Sequence, residues 1–235
     1  MYSHILFDFF GTLVDYDAGR TSQGYPRAYA ELGGLGATVS YAEFLQGWDG
    51  AFAAFDRDSD ADDHEFSMAQ VGTAYLTEVL GRVPAAGEVD AFTRAYLAEW
   101  SAGVRYPDGV VPLIQSLSRV YRLAVVTNTH QPDLVPGHLA AMGIADLMDV
   151  VITSVEVGHR KPHPAIYAAT VEALGIEPSA AVFVGDTYLA DFVGPEKFGM
   201  TAFLIDPARR ADVPEARRLA SVLDLPTRMS PDEVA

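Results

Sequence analysis

At 235 residues and 49% apolar content the chain suffices for one domain, or a domain with a sizeable insertion, around a packed core, which excludes intrinsic disorder. Its 16 Lys and Arg stand against 32 Asp and Glu, and the resulting −16 repels phosphate backbones and anionic lipid, so a nucleic-acid partner is not expected. The absence of Cys excludes disulfides, a thiolate nucleophile and Cys-ligated zinc.

The N-terminal apolar run, residues 5–14, lacks a basic leader and is broken by Asp8 and Gly11, so it does not read as a signal peptide. No other run approaches the ~20 residues of a membrane span, and the expectation is a soluble protein of a reducing cytoplasm.

A first strand is expected at residues 4–10, apolar at nearly every position as in a parallel strand covered on both faces. More than a hundred residues precede the next strand, far beyond an ordinary crossover, and they carry their own helical patterns. This segment reads as an inserted helical cap. Ser40 with Glu43 forms a capping box, after which Tyr41, Phe44, Leu45, Trp48, Phe52 and Phe55 fall on one helical face. Ser67 with Gln70 repeats the signal, and Val89, Phe92, Tyr96, Leu97 and Trp100 mark a further helix. Three or four such helices can bundle around a small aromatic core. Between the first two of these helices an acidic stretch, residues 56–65, alternates like a calcium loop. It has Ala61 where the loop needs Gly and Ser67 where it needs Glu, and is therefore expected to be a solvated, mobile loop.

Beyond the insertion, helices are expected at residues 110–117, 132–142, 164–174 and 190–198, the last three stopped by Gly143, Gly175 and Gly199. Strands are expected at residues 123–128, 150–154, 181–186 and 201–205. Strand alternating with helix gives an α/β fold, a doubly wound parallel sheet with a Rossmann-like core.

In such sheets ligands sit outside the carboxyl ends of the strands, where polar residues that end apolar runs are the first candidates. Asp8, set in Ile5-Leu6-Phe7 and Phe9-Phe10, would be costly to bury unpaired and is placed to be a nucleophile or a metal ligand. Gly11 allows a sharp turn with free amides around an incoming anion. Asp186 ends a second buried strand; if the two strands are neighbours, two carboxylates face each other, and an all-oxygen donor set selects Mg²⁺. Lys161 adds the opposite charge, while Thr127 and Asn128 end another strand as neutral donors. Such a set suits phosphoryl transfer through an aspartyl-phosphate. Singly, each residue also fits a turn, a cap or a surface charge, and Asp191 equally suits the start of the following helix.

In this order, Phe7-Asp8-Phe9-Phe10-Gly11-Thr12-Leu13, Val126-Thr127-Asn128, Lys161-Pro162-His163-Pro164 and Val184-Gly185-Asp186-Thr187 with Asp191, the motifs resemble those of the haloacid dehalogenase-like hydrolase superfamily over essentially the whole chain. Tyr106-Pro107-Asp108-Gly109-Val110 resembles the family's return to its core, which puts the helical cap at residues 16–105 and the hydrolase core at residues 1–15 and 106–235.

The resemblance implies that Asp8 attacks the substrate and that Phe9, Phe10, Thr127, Asn128 and Lys161 contact it. Lys161 would balance charge, Mg²⁺ would be held by Asp8, Asp186 and the backbone carbonyl of Phe10, and Asp191 would support the metal shell. It also implies a small-molecule anionic substrate. Phosphatases of the family carry a second Asp, a general acid and base, two positions after the nucleophile; here Phe10 stands there. General acid–base help is worth roughly 10²–10⁴-fold, so the change weakens expulsion of poor leaving groups. The leading expectation is a Mg²⁺-dependent phosphatase or phosphotransferase acting on a small phosphorylated metabolite. The alternatives are a 2-haloacid dehalogenase, whose branch places an aromatic residue at this position, and a non-catalytic binding descendant.

Overall fold

The computed structural model describes residues 2–229. They fall into two compact units, one within Met1–Asp15 and Tyr106–Ala235, the other Tyr16–Arg105. The first opens with β1 (His4–Phe7), and the second holds four helices: α1 (Pro26–Gly34), α2 (Tyr41–Ser59), α3 (Met68–Leu80) and α4 (Ala86–Ser101). The first unit resumes with α5 (Val110–Leu117), β2 (Arg122–Thr127), α6 (Leu134–Met142), β3 (Met148–Thr153), α7 (Ser154–Val157), α8 (Pro164–Leu174) and β4 (Ala181–Gly185). A π-helical turn (Tyr188–Val193), α9 (Gly194–Phe198), β5 (Thr201–Ile205), β6 (Arg218–Leu219) and α10 (Leu225–Arg228) complete it.

The sheet runs β3-β2-β1-β4-β5-β6, parallel throughout, as the near-continuous apolar strands require. Strand order reverses at β1: the chain proceeds outward through β2 and β3 on one side, then through β4, β5 and β6 on the other. The crevice beyond the carboxyl ends of β1 and its neighbours is therefore the switch point where such sheets bind ligands. Leu6, Val126, Phe183, Ile166 and Tyr167 belong to the core that α8 closes over the sheet. In the helical unit, Trp48 sits 5.0 Å from both Phe92 and Tyr96, and Phe44, Phe52 and Tyr75 pack around it. Ring pairs of this kind, mostly edge-to-face, give a small core more than their buried area alone. Both capping boxes form: the Ser40 and Ser67 hydroxyls each accept a backbone N–H from the residue three positions on, and each serine's own N–H donates to that residue's side-chain oxygen.

Several expectations need correction. β1 stops at Phe7, because beyond it Gly11 takes φ +82° and its N–H turns to the Val14 carbonyl. The acidic stretch is not a loop from its start: α2 continues to Ser59, with Asp56 2.6 Å from Arg20, and Asp62 pairs with His64 at 2.6 Å. The expected helix at 190–198 is split into the π turn and α9, since Pro195 has no N–H to return to the Asp191 carbonyl and an α-helical ladder cannot run through it. β6 is too short to leave a period in the sequence. No helix among the described residues is long and apolar enough to cross a membrane.

Candidate active site

Asp8 is the first residue past the carboxyl edge of β1, and its N–H still donates to the Val184 carbonyl of β4 at 2.9 Å. The side chain is 7% exposed and meets a cation. Lys161, just ahead of α8 and 4% exposed, donates from Nζ to Asp8 Oδ1 at 2.7 Å, to Asp191 Oδ1 at 2.7 Å and to the Val126 carbonyl at 2.8 Å. An ammonium has three donors, and all three are used. Burial alone would push Lys161 towards the neutral amine, but the Asp191 and Asp8 charges outweigh it and hold its pKa above the ordinary value.

Asp191 lies on the π turn, 1% exposed. Its Oδ1 takes Lys161 and its Oδ2 accepts the N–H groups of Asp186 at 3.1 Å and Thr187 at 2.8 Å. The carboxylate therefore staples the loop after β4 in one shape. Burial pushes its pKa up to about 7, against the pull of Lys161 and with the push of Asp8. Gly185 makes the approach possible, since a Cβ there would come within 2.5 Å of Asp191 Cβ. Asp186, next along, is exposed, and burial of its carboxyl followed by the charge of Asp8 raises its pKa to about 6.

Among the described residues, oxygens of Asp8, Asp186 and Asp191 lie within 4.8 Å of one another. Lys161 already occupies Asp191 and one oxygen of Asp8, so a net negative corner remains at Asp8 and Asp186. Two carboxylates side by side form a hard oxygen donor set that fits a divalent cation of the Mg²⁺ type. Asp191, with both oxygens engaged by protein donors, orients the site instead.

Thr127 ends β2 fully buried, and its hydroxyl has no protein partner; Thr12, in the turn after Asp8, shows the same. A buried hydroxyl without a partner is costly unless something else binds it. Asn128 behaves differently. Its Oδ1 accepts the Lys161 N–H at 2.8 Å and its Nδ2 donates to the Lys161 carbonyl at 3.0 Å. Phe9 is fully buried, so only its backbone is offered to a ligand. Phe10 is partly buried, its ring edge-on to Phe9 at 5.0 Å and 6.3 Å from His138.

The sheet thus brings together Asp8, Lys161, Asp186, Asp191 and Thr127 as the strand-end pattern suggests. Gly185 and Tyr106 stand in the sequence motifs without a role of their own, and His138 is not singled out by the sequence; its buried ring lies with Nδ1 2.9 Å from the hydroxyl of the more exposed Tyr106. His138 sits on an α6 face whose periodicity signals only packing. On either side of Lys161, His159 and His163 stack at 4.0 Å, and His163 Nδ1 accepts the Ala165 N–H at the start of α8.

Comparison with known proteins gives the family and the fold. The haloacid dehalogenase-like hydrolase family matches residues 2–199. Among curated relatives, the human haloacid dehalogenase-like hydrolase domain-containing protein 3 is 36% identical over 114 residues, 46% of this chain and 45% of that protein. A ribulose-1,5-bisphosphate 5-phosphatase of Halopiger xanaduensis is 32% identical over 127 residues, 54% of this chain and 52% of its own. The chain thus spans about half the length of the curated relatives it matches. Among solved structures, a 2-haloacid dehalogenase from Pseudomonas syringae superposes with a TM-score of 0.71 at 22% identity, over 97% of this chain and 98% of that one. A phosphatase from Thermococcus onnurineus superposes with a TM-score of 0.65 at 25% identity, over 97% of both.

Proposed function

We propose that this chain, which belongs to the haloacid dehalogenase-like hydrolase family, is a Mg²⁺-dependent phosphohydrolase that acts on a small phosphorylated metabolite through phosphorylated Asp8. The observation that carries the reading is the gathering of Asp8, Asp186 and Asp191 around Lys161, with carboxylate oxygens within 4.8 Å. A carbon–halogen displacement has no use for a second, cation-demanding carboxylate beside the nucleophile. The phosphatases among the relatives agree with this choice.

In this reading Lys161 fixes Oδ1 of Asp8 and keeps the carboxylate ionised, and Oδ2 attacks phosphorus. The bond from phosphorus to the leaving oxygen breaks and that oxygen departs with the electron pair. Water then attacks the phosphorus of the acyl phosphate, releasing inorganic phosphate and restoring Asp8. Thr127 Oγ1 and the backbone amides of Phe9 and Phe10 hold the phosphoryl oxygens, since the N–H groups of Asp8, Gly11 and Thr12 donate to the Val184, Val14 and Phe9 carbonyls. Asp8, Asp186 and the Phe10 carbonyl would hold the cation, which supplies charge neutralisation for the phosphoryl oxygens. Phe10 offers no proton, so the substrates that turn over best are those whose leaving oxygen departs as a stable anion, aryl and acyl phosphates foremost.

The test is release of phosphate from p-nitrophenyl phosphate or acetyl phosphate by the purified protein, with and without Mg²⁺. The expected result is slow, Mg²⁺-dependent turnover that Asp8→Asn abolishes. Halide release from a 2-haloacid without metal, and no phosphate release, would overturn the proposal in favour of dehalogenation.

A further inference from the structure

We infer that Asn128 is a positioning residue that aims Lys161, rather than a donor to the substrate. One side chain takes both polar groups of one residue's backbone: the Lys161 N–H donates to Asn128 Oδ1 at 2.8 Å and Asn128 Nδ2 donates to the Lys161 carbonyl at 3.0 Å. Two antiparallel hydrogen bonds fix both peptide planes that flank the Lys161 Cα, and with them the direction in which the side chain leaves the backbone. At the far end of that side chain Nζ has three acceptors, two of them carboxylates, and no spare donor. A flexible four-carbon stem can meet three fixed acceptors at 2.7–2.8 Å only if its root is fixed too. Asn128 itself is anchored by following directly on β2, so the clamp transmits the position of the sheet to the ammonium. Thr127, one residue earlier, keeps its buried hydroxyl free of protein partners and remains the candidate donor at this strand end.

The inference rests on the phosphohydrolase reading for its kinetic arm alone, and a second arm needs no substrate. The chain has only two lysines, Lys161 and Lys197, and Lys197 is exposed. Reductive methylation with formaldehyde and borohydride, followed by peptide mass spectrometry, therefore reads Lys161 against an internal reference. In the unsubstituted protein Lys161 should label far more slowly than Lys197. Asn128→Ala removes both clamp bonds and should speed labelling of Lys161 about 10- to 100-fold, the range that two hydrogen bonds account for. Asn128→Asp keeps the acceptor for the Lys161 N–H but loses the donor to its carbonyl, and should fall between. With p-nitrophenyl phosphate, kcat should drop roughly 10- to 100-fold in Asn128→Ala with KM nearly unchanged, as for a misplaced catalytic group. If Asn128 instead donated to the substrate, Asp would be worse than Ala, because a carboxylate repels an anion, and KM would carry the loss. Unchanged labelling of Lys161 in Asn128→Ala overturns the inference whatever the kinetics, and so does a KM effect with intact kcat. Should Asn128→Ala fail to fold by circular dichroism, Asn128→Asp decides: labelling as slow as in the parent chain overturns the inference.

Discussion

The backbone of Gly11 runs directly beneath the carboxylate of Asp186: a Cβ on Gly11 would lie 2.8 Å from Asp186 Cγ and closer still to Oδ2. The turn after the nucleophile and the loop after β4 are thus in contact through bare main chain, which sets the gap between Asp8 and Asp186.

Gly11→Ala should therefore fail twice. At φ +82° an L side chain costs about 1–3 kcal/mol, and the new methyl displaces Asp186. Gly143 in the same unit, at φ +71° with open space around it, separates the two effects. Gly143→Ala should lower the urea midpoint and leave kcat in place, whereas Gly11→Ala should lose about 10²-fold in kcat or more. Equal kinetics in the two variants would show that the contact with Asp186 is immaterial.

Lys161→Met leaves two buried carboxylates without their cation, and breaking one side of a buried pair costs about 3–5 kcal/mol. Lys161→Met with Asp191→Asn removes the charge of the more deeply buried partner as well, so the double variant should be more stable than Lys161→Met alone, by urea denaturation at unchanged m. A double variant no more stable than the single one would mean that burying Asp191 without Lys161 carries no cost, against the buried-pair argument. All these variants are expected to be inactive.

The carboxyl of Asp186 titrates near pH 6 when folded, against an ordinary value of 3.8. Between these values the folded chain binds more protons than the unfolded one, so metal-free stability falls as pH rises from about 4 to 6, and the whole penalty is present above 6. Asp186→Asn should consequently raise Tm at pH 8 in a chelating buffer and not at pH 4. Water screens this exposed side chain, so the gain stays below ~1 kcal/mol, a degree or two. Millimolar Mg²⁺ should reverse the order at pH 8 by stabilising the parent chain alone. The same Tm difference at both pH values would rule out a raised carboxyl at this position.

The sheet and the acidic corner were legible because they leave periodic or compositional marks. A carboxylate inside Ile5-Leu6-Phe7 and Phe9-Phe10 must be paired or used, and a second strand-end acid at Asp186 points to the same crevice. What Asn128 does was not legible: donation to a ligand and a clamp on Lys161 need the same residue at the same strand end, and only the backbone of a segment 33 residues away decides between them. The role of Gly185 was hidden for a similar reason, since a glycine in an apolar strand marks a close approach without naming what approaches. The π turn follows from Pro195 acting together with the demands on Asp191, which is a tertiary cause.

Phe10 offers the sharpest test of the chemistry. Its ring stands edge-on to Phe9 and near His138, so the position is walled by aromatic rings and supplies no proton. Without side-chain protonation the leaving oxygen must carry its negative charge unaided, so log(kcat/KM) across a series of aryl and alkyl phosphates should fall steeply with leaving-group pKa. Phe10→Asp puts a carboxyl where it can protonate that oxygen. The aid grows with leaving-group basicity, so the variant should gain about 10²-fold or more on alkyl phosphates, little on p-nitrophenyl phosphate, and flatten the slope. Part of the gain is lost because His138 and Phe9 lose a packing partner, which a lower urea midpoint would register. A slope as steep in Phe10→Asp as in the parent chain, with alkyl phosphates still inert, would show that protonation is not the limiting element. A flat slope in the parent chain would place a proton donor elsewhere in the unit, and His138 is the first residue to replace.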